Sequence, residues 1–356
     1  MEPTRPLRLG IVTNLPGMMD RRARGIAAHL ERADAEILVA PGPRRVAAQA
    51  PRWDAAYVID PGKRGMAAAV VCRALGKPTI VEIGDPQAQL FRAQGRGSAT
   101  VAIGATFDAA AVRYASGVAF RGSDLAQTLP PKMPWRFVPD GVDTDRFRAL
   151  GSAGARASLG LPSDDLVVGV VGSITWSERR RWAYGLDLVE ALADLRDYPI
   201  RVLIVGGGDG LEHLRRRGSE LGVSERLLLT GRQPHPEIPR LLSAMDVCVS
   251  TQSNDPIGRG RTTAKLPEYL ACDRFVLATD VGTASKILPT EMLLPYSDSL
   301  DSAHPARLAQ RLAELCRRRD ELHGGAGTRP LALEHFAYRR VAERVRDFLD
   351  AILERA

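Results

Sequence analysis

Short β-branched runs alternate with longer helical stretches along the whole chain, and no other feature constrains the fold as much. In the first part the runs are Leu9–Thr13, Glu36–Ala40, Ala55–Asp60, Thr79–Ile83, Gly117–Phe120 and Phe137–Pro139. In the second part they are Val167–Val171, Val202–Val205, Leu227–Thr230, Val247–Ser250, Phe275–Thr279 and Leu293–Pro295. Runs that are apolar throughout belong to strands buried on both faces, which implies parallel sheets covered by helices. Arg21–Ala33 reads as one such helix, with Ile26, Leu30 and Ala33 on one side. Asp187–Leu195 and Glu212–Leu221 read the same way. Twelve strands are many for one twisted sheet, and 356 residues suit two domains. The expected class is α/β, with two doubly wound, Rossmann-like domains facing across a cleft. Residues 1–150 would form the first and 160–334 the second. The division falls in Asp145–Asp164, which carries the helix-poor piece Ala149–Gly154 and the turn Gly160–Ser163. In such sheets ligands sit beyond the carboxyl ends of the strands.

Composition removes several function classes. With 45% hydrophobic and 26% charged residues the chain is of the soluble globular kind, not a disordered one. No run approaches the roughly 18 apolar residues of a membrane span. Met1–Arg8 lacks the apolar core and cleavage site of a signal peptide. Cys72, Cys248, Cys272 and Cys316 are too scattered for a disulfide framework or a zinc cluster, so a cytoplasmic location is expected. The net charge of +7 raises nucleic acid, anionic lipid and phosphorylated substrates as partners. Only five of the 49 basic residues are lysines, so the excess is an arginine-rich background spread along the chain. Aromatic residues make up 5%, and no zinc-finger or basic-zipper spacing occurs, so nucleic acid is not an expected partner.

Three segments point to a phosphate-bearing ligand. Val170–Ile174 is a strand end followed by Gly172 and Ser173. Ile204–Gly210 is a strand end followed by Gly206, Gly207 and Gly208, then a helical stretch. Glycines there let the backbone approach a ligand, and the amides that follow face an anion. Neither segment is a Walker loop or a clean dinucleotide fingerprint. Gly258–Gly282 is more specific. Its glycine–threonine–lysine loop opens a short helix containing Glu268, followed by a buried strand ending Thr279-Asp280-Val281-Gly282. Thr262, Thr263, Lys265 and the helix start suit a diphosphate, and Glu268 one turn on suits a ribose diol.

These segments, in this order, resemble the retaining GT-B glycosyltransferases grouped as glycosyltransferase family 4. Phe137–Phe147 resembles the interdomain P-N-G-V-D-x-x-x-F signature, with Asp140 in place of Asn. Val170–Ser173 and Val205–Gly208 resemble the glycine turns of the second domain. Leu229–Gly231 followed by Ile238–Ser250 resembles F-x-G … A-D-V-x-V-x-P-S. Lys265–Ala271 resembles K-x-x-E-Y-x-A, and Ala332–Tyr338 resembles the family's end piece, whose helix, here about 335–356, returns to the first domain.

The resemblance implies transfer of a sugar from a nucleotide-diphosphate sugar, with retention and without a metal, to a small-molecule, lipid-linked or saccharide acceptor. The pathways it suggests are bacterial secondary-metabolite, glycolipid or polysaccharide biosynthesis. It places the acceptor on the first domain and the donor on the second. The implied donor residues are Gly172, Ser173, Gly206, Gly207, Gly231, Arg232, Asp255, Thr262, Thr263, Lys265, Leu266 and Glu268. No cofactor beyond the nucleotide sugar is implied. Ser173 replaces an arginine that neutralises the leaving diphosphate, and Arg179, Arg180 or Arg181 supplies that charge, with Lys265 a further candidate. Gly260 stands where the family has the first acid of a Glu-x7-Glu pair, and Asp255 or Asn254 is its substitute. That loss keeps a nucleotide-sugar epimerase, a pseudo-glycosyltransferase and a non-catalytic sugar-nucleotide-binding protein as alternatives. Where relatives carry a sugar-contacting His, this chain reads Glu82-Ile83-Gly84-Asp85-Pro86, so Asp85 touches sugar or acceptor, or caps the next helix.

The catalytic candidates are Asp85, Lys265 and Arg179. On the acceptor side, Gln94–Thr100 with Arg96 reads as a mobile loop. Met18, Met19, Arg21, Arg22 and Arg24 read as an apolar-tipped basic edge, or as an ordinary helix start, so membrane contact is at most peripheral. The six histidines, His29, His213, His235, His304, His323 and His335, form no nucleophile or zinc set, and His235 between two prolines reads as a loop residue.

Overall fold

The computed structural model describes residues 5–14, 16–93, 95–122, 129–322 and 325–355. Gln94 and His323 lie outside the described residues. The chain divides into two compact units. One comprises Met1–Asp143, Arg259–Thr262 and His335–Ala356, and the other Thr144–Gly258 and Thr263–Glu334.

The first unit is built on strands β1 (Leu7–Thr13), β2 (Ala33–Val39), β3 (Ala55–Ile59), β4 (Thr79–Ile83), β5 (Gly117–Phe120) and β6 (Trp135–Phe137). They pair in parallel in the order β2-β1-β3-β4-β5-β6. Alternation along each strand feeds two cores. Leu9, Ile11, Tyr57 and Ile80 face one side, and Val12, Val58, Val81 and Phe120 the other. This is why the runs are apolar at every position.

The C-terminal helix Tyr338–Leu353 closes the first of these cores with Val341, Val345, Leu349 and Ile352 at helical spacing. Its first residue needs two glycines: a Cβ on Gly25 or on Gly141 would lie within 2.5 Å of the Tyr338 ring. The returning chain adds a parallel bridge between Val142 and Ala337, with the Val142 amide donating to Phe336 O at 2.8 Å.

The second unit holds β7 (Leu166–Val171), β8 (Ile200–Val205), β9 (Leu227–Leu229), β10 (Val247–Ser250), β11 (Phe275–Thr279) and β12 (Leu293–Leu294). Their order is β12-β11-β10-β7-β8-β9, again parallel throughout. The chain runs outward from β7 through β8 and β9, then returns to β10 on the other side. The switch point therefore lies between β7 and β10, where open α/β sheets bind ligands.

Several local expectations need correction. The first helix spans Met18–His29, not Arg21–Ala33. Leu30 is extended, Arg32 takes φ 53°, and Ala33 opens β2. The piece read as helix-poor contains helix Ser152–Ser158, anchored by buried Arg156 on Asp246 at 2.5 Å. Ser98–Thr100 are the first turn of helix Ser98–Tyr114 rather than loop. Among the described residues no helix is long and apolar enough to cross a membrane. Cys72, Cys248, Cys272 and Cys316 are all free thiols.

Candidate active site

In the second unit two glycine turns are stitched together at the switch point. The Gly172 amide donates to Val205 O at 3.0 Å, and Ile174 donates to Gly207 O at 3.1 Å. Gly206 donates to Gly231 O at 3.0 Å. A Cβ on Gly206 would lie 1.8 Å from Gly172 O, so only glycine permits this approach. Gly207 in turn backs onto Arg232, whose Cβ would be 3.0 Å from a side chain there.

Helix Lys265–Ala271 lies against this turn. Its Tyr269 is fully buried, and the phenol oxygen accepts the Val171 amide at 2.7 Å. That contact fixes the helix to the end of β7. The Lys265 ammonium then stands 3.5 Å from where a Gly172 Cβ would be, and 3.3 Å above the centroid of the Tyr184 ring. One turn on, Glu268 is largely buried and faces His235, whose Nε2 is 3.1 Å from its Oε1. Phe147 packs on the His235 ring at 5.4 Å. At the end of β10, the Thr279 hydroxyl accepts the Gln252 amide at 2.8 Å and donates to Gln252 O at 2.9 Å. The Thr279-Asp280-Val281-Gly282 run thus holds the loop after β10 in place.

Other expected ligands are already engaged. Asp255 pairs with Arg180 at 2.7 Å and accepts from Ser253 Oγ, Ile257 N and Gly258 N. Burial pushes its carboxyl up, but the Gly258 amide, Ser253 and Arg180 outweigh that and hold it below the usual carboxylate range. It is a loop anchor in this structure, not an open sugar ligand. Arg180 is tied to Asp255, and Arg179 and Arg181 are exposed at the surface.

Thr262 is buried with its hydroxyl on Arg121 O at 2.6 Å in the first unit, so it does not offer that proton to a diphosphate. Leu266 is a core residue, 3% exposed, and its amide donates to Thr263 O. Ser173 is exposed, with its hydroxyl 3.0 Å from that of Thr175.

The first unit holds a buried charge network at the carboxyl ends of β3, β4 and β5. Arg22 forks onto Glu82 at 2.7 and 2.8 Å and donates to the carbonyls of Val138 and Pro139. Tyr57 adds a third donor to Glu82 at 2.6 Å. Arg121 binds Asp60 at 2.8 Å and approaches Asp140 at 3.4 Å, and Asp140 lies 3.8 Å from Arg22. This explains the departure at 140. Two buried guanidinium groups face that position, and a carboxylate balances them where an amide would not.

Asp85 is bound through both oxygens to Arg261, at 2.5 and 2.6 Å, and belongs to the same unit as that arginine. Burial raises its carboxyl, but Arg261 outweighs that and holds it below the usual range. Its carboxylate is therefore committed to an ion pair rather than to a helix cap.

The apolar-tipped basic edge is also corrected. Met19 is 7% exposed in the core and Arg22 is buried on Glu82, leaving Met18, Arg21 and Arg24 outside. Arg96 is exposed. Among the described residues no group of three or more His, Cys, Asp or Glu side chains gathers as a metal set.

Residues 165–317 match the family model described as Glycosyl transferases group 1. The chain is 31% identical over 166 residues to 2-deoxystreptamine glucosyltransferase of Streptomyces kanamyceticus, covering 44% of this chain and 41% of that enzyme. It is 35% identical over 157 residues to D-inositol 3-phosphate glycosyltransferase of Nocardia farcinica, covering 42% and 33%. The chain thus spans less than half the length of these curated relatives. Among solved structures, HepE of Anabaena in complex with UDP superposes with a TM-score of 0.74 at 16% identity, over 97% of this chain and 100% of that one. A glycosyltransferase of Rickettsia africae superposes with a TM-score of 0.71 at 16% identity, over 99% and 100%. The chain thus has a GT-B fold, and its residues 165–317 are similar to the group 1 glycosyl transferases.

In this GT-B chain the matched span contains the whole Gly172–Lys265–Glu268 arrangement. Tyr184 stands in no recognisable motif, and His235, read from the sequence as a loop residue between two prolines, is found against Glu268. A signal existed for the buried network. Glu82 interrupts the otherwise apolar strand Thr79–Ile83, and a charge within such a run needs a buried partner.

Proposed function

We propose that this protein transfers a sugar from a nucleotide-diphosphate sugar to a hydroxyl-bearing acceptor. The second unit binds the donor and the first the acceptor. The observation that carries the reading is the Lys265 ammonium held against the Gly172 turn at the switch point, with Glu268 one helical turn away. As the glycosidic bond breaks, negative charge collects on the leaving diphosphate. A fixed cation and backbone amides stabilise that charge without reorganising. Glu268, aligned by His235, accepts from the ribose hydroxyls. Gly231 and Arg232 border the nucleotide, beside Gly207.

Solved structures of HepE with UDP and with UDP-glucose support a nucleotide-sugar donor here. The two curated relatives are named for 2-deoxystreptamine and D-inositol 3-phosphate, which supports a small-molecule acceptor over a lipid-linked or polymeric one. Retention is part of this reading and rests on the motif resemblance, as is cytoplasmic action, which rests on the four scattered cysteines. Gly260, in place of an acid, supports a second reading in which the same donor site serves a nucleotide-sugar epimerase or a pseudo-glycosyltransferase that joins a non-sugar cyclitol.

The test is a thermal-shift panel of UDP, GDP, dTDP, ADP and CMP followed by transfer assays. A nucleoside diphosphate that binds the folded state raises the unfolding temperature by mass action. No shift with any of them overturns the donor assignment.

A further inference from the structure

The ring of His235 is held by parts of the second unit that lie far apart in the chain. His235 stands between Pro234 and Pro236 and opens the single turn His235–Glu237, where the Glu237 amide donates to Pro234 O at 2.9 Å. Prolines on both sides narrow the directions the side chain can take. Its ring packs on the buried Phe147, with centroids 5.4 Å apart and planes at 55°. The Arg329 guanidinium donates to Phe147 O at 2.9 Å and to Thr144 O at 2.8 Å. It also donates at 2.6 Å to the carbonyl of Ala271, the last residue of the helix that carries Glu268. One guanidinium therefore ties the floor beneath His235 to the Glu268 helix. The contact between His235 Nε2 and Glu268 Oε1, at 3.1 Å, closes the circuit.

A carboxylate only accepts, so the hydrogen in that contact comes from Nε2. Nδ1 is buried and has no hydrogen-bond partner among the described residues, so a flipped ring would give up its polar contact with Glu268. The terminal torsion of a glutamate is broad, and fixing Oε1 sets the direction of Oε2. An oxygen so aimed rewards a ligand hydroxyl and is left unpaired by a ligand that lacks one. From this we infer that His235 is a positioning residue that makes the site select nucleotides carrying a ribose diol. Phe147 and Arg329 hold the ring, the ring holds Oε1, and Oε2 reads the diol. The inference rests on the reading of Glu268 as the ribose acceptor.

The experiment is calorimetry on the full chain with whichever of UDP, GDP, dTDP or ADP shifts the wild type most, against its 2′,3′-dideoxy counterpart. The quantity read is the ratio of the two affinities. The wild type is expected to favour the hydroxylated nucleotide about tenfold to hundredfold, the size of a hydrogen bond to a charged group. His235→Phe keeps a ring on Phe147 and removes the donor, whereas His235→Gln gives up the ring and keeps an N–H donor. The ratio is expected to fall at least about threefold in His235→Phe and to stay within about twofold of the wild type in His235→Gln. Affinity for the dideoxy nucleotide is expected to stay within about twofold in both. In a Glu268→Ala background the ratio is expected to be lost, and His235→Phe to change it no further.

A wild type that binds neither nucleotide, or both equally, overturns the ribose reading and the inference with it. So does a Glu268→Ala variant that keeps the ratio. A ratio that is lost in Glu268→Ala but holds in His235→Phe overturns the inference alone. Equal losses in the Phe and Gln variants, or equal losses for the hydroxylated and dideoxy nucleotides, likewise overturn the positioning role. Melting curves of each variant separate a folding defect from these outcomes. If His235→Phe does not fold, His235→Leu removes the donor in its place.

Discussion

His235 Nε2 lies 3.1 Å from Glu268 Oε1, linking a residue of the loop after β9 to the short helix that follows β10. One Glu268 oxygen is thereby occupied, which orients the carboxylate. Glu268→Ala is expected to weaken nucleoside-diphosphate binding by about tenfold to hundredfold, the size of a hydrogen bond to a charged group. His235→Ala is expected to cost less, because it disturbs only the orientation. Calorimetry with the best-binding diphosphate measures both, and an unchanged affinity in Glu268→Ala rejects the ribose assignment.

The first unit's buried network gives a stability prediction. Glu82 is fully buried and accepts from Arg22 and Tyr57. Glu82→Gln leaves two buried guanidinium groups with less compensating charge, and removing one partner of such a pair costs about 3–5 kcal/mol. For units of this size that corresponds to a fall of roughly 10 °C in unfolding temperature. A variant melting within a degree of the wild type would show that the network contributes little.

Two buried groups of the second unit act on stability in opposite directions with pH. Burial raises the Asp187 carboxyl to about 7, so the folded state holds a proton that the unfolded state has released. Its contribution is complete below the ordinary carboxylate pKa and is lost as pH rises through 7. Burial pushes the His304 imidazole down to about 4. The unfolded chain takes up that proton first, so stability is lost as pH falls from 6.5 towards 4. Asp187→Asn is expected to gain stability relative to wild type between pH 5 and pH 8, on the order of 2–3 kcal/mol. Urea unfolding at the two pH values checks this, and a constant difference would reject it.

Metal removal tests how the leaving charge is met. With Lys265 as the fixed cation, transfer activity after exhaustive EDTA treatment is expected to stay within about twofold of the untreated enzyme. Complete loss restored by magnesium would assign the diphosphate charge to a metal instead.

The strands were legible because double-sided burial demands apolar residues at every position, and Thr79–Ile83, Gly117–Phe120, Val247–Ser250 and Phe275–Thr279 begin and end where their sequence pattern does. The glycine turns and the loop entering Lys265–Ala271 were legible too, since glycine and lysine beside a buried run have few structural uses. The Met18–His29 helix was displaced because periodicity carries no sharp stop signal, and the left-handed turn at Arg32 is not encoded by a glycine.

The sequence by itself determined the element order, the doubly wound α/β class and the segments where a phosphate would be met. Only the tertiary structure decided what each of those side chains meets. Asp255, Asp85 and Thr262 are engaged by Arg180, Arg261 and the Arg121 carbonyl, whereas Lys265 is set on Tyr184 and Glu268 on His235. The reason is physical. Backbone pattern and local motif act over a few residues, but hydrogen bonds and ion pairs join positions brought together by the sheet. Asp85 and Arg261 stand 176 residues apart in the chain, and no spacing rule reaches that far.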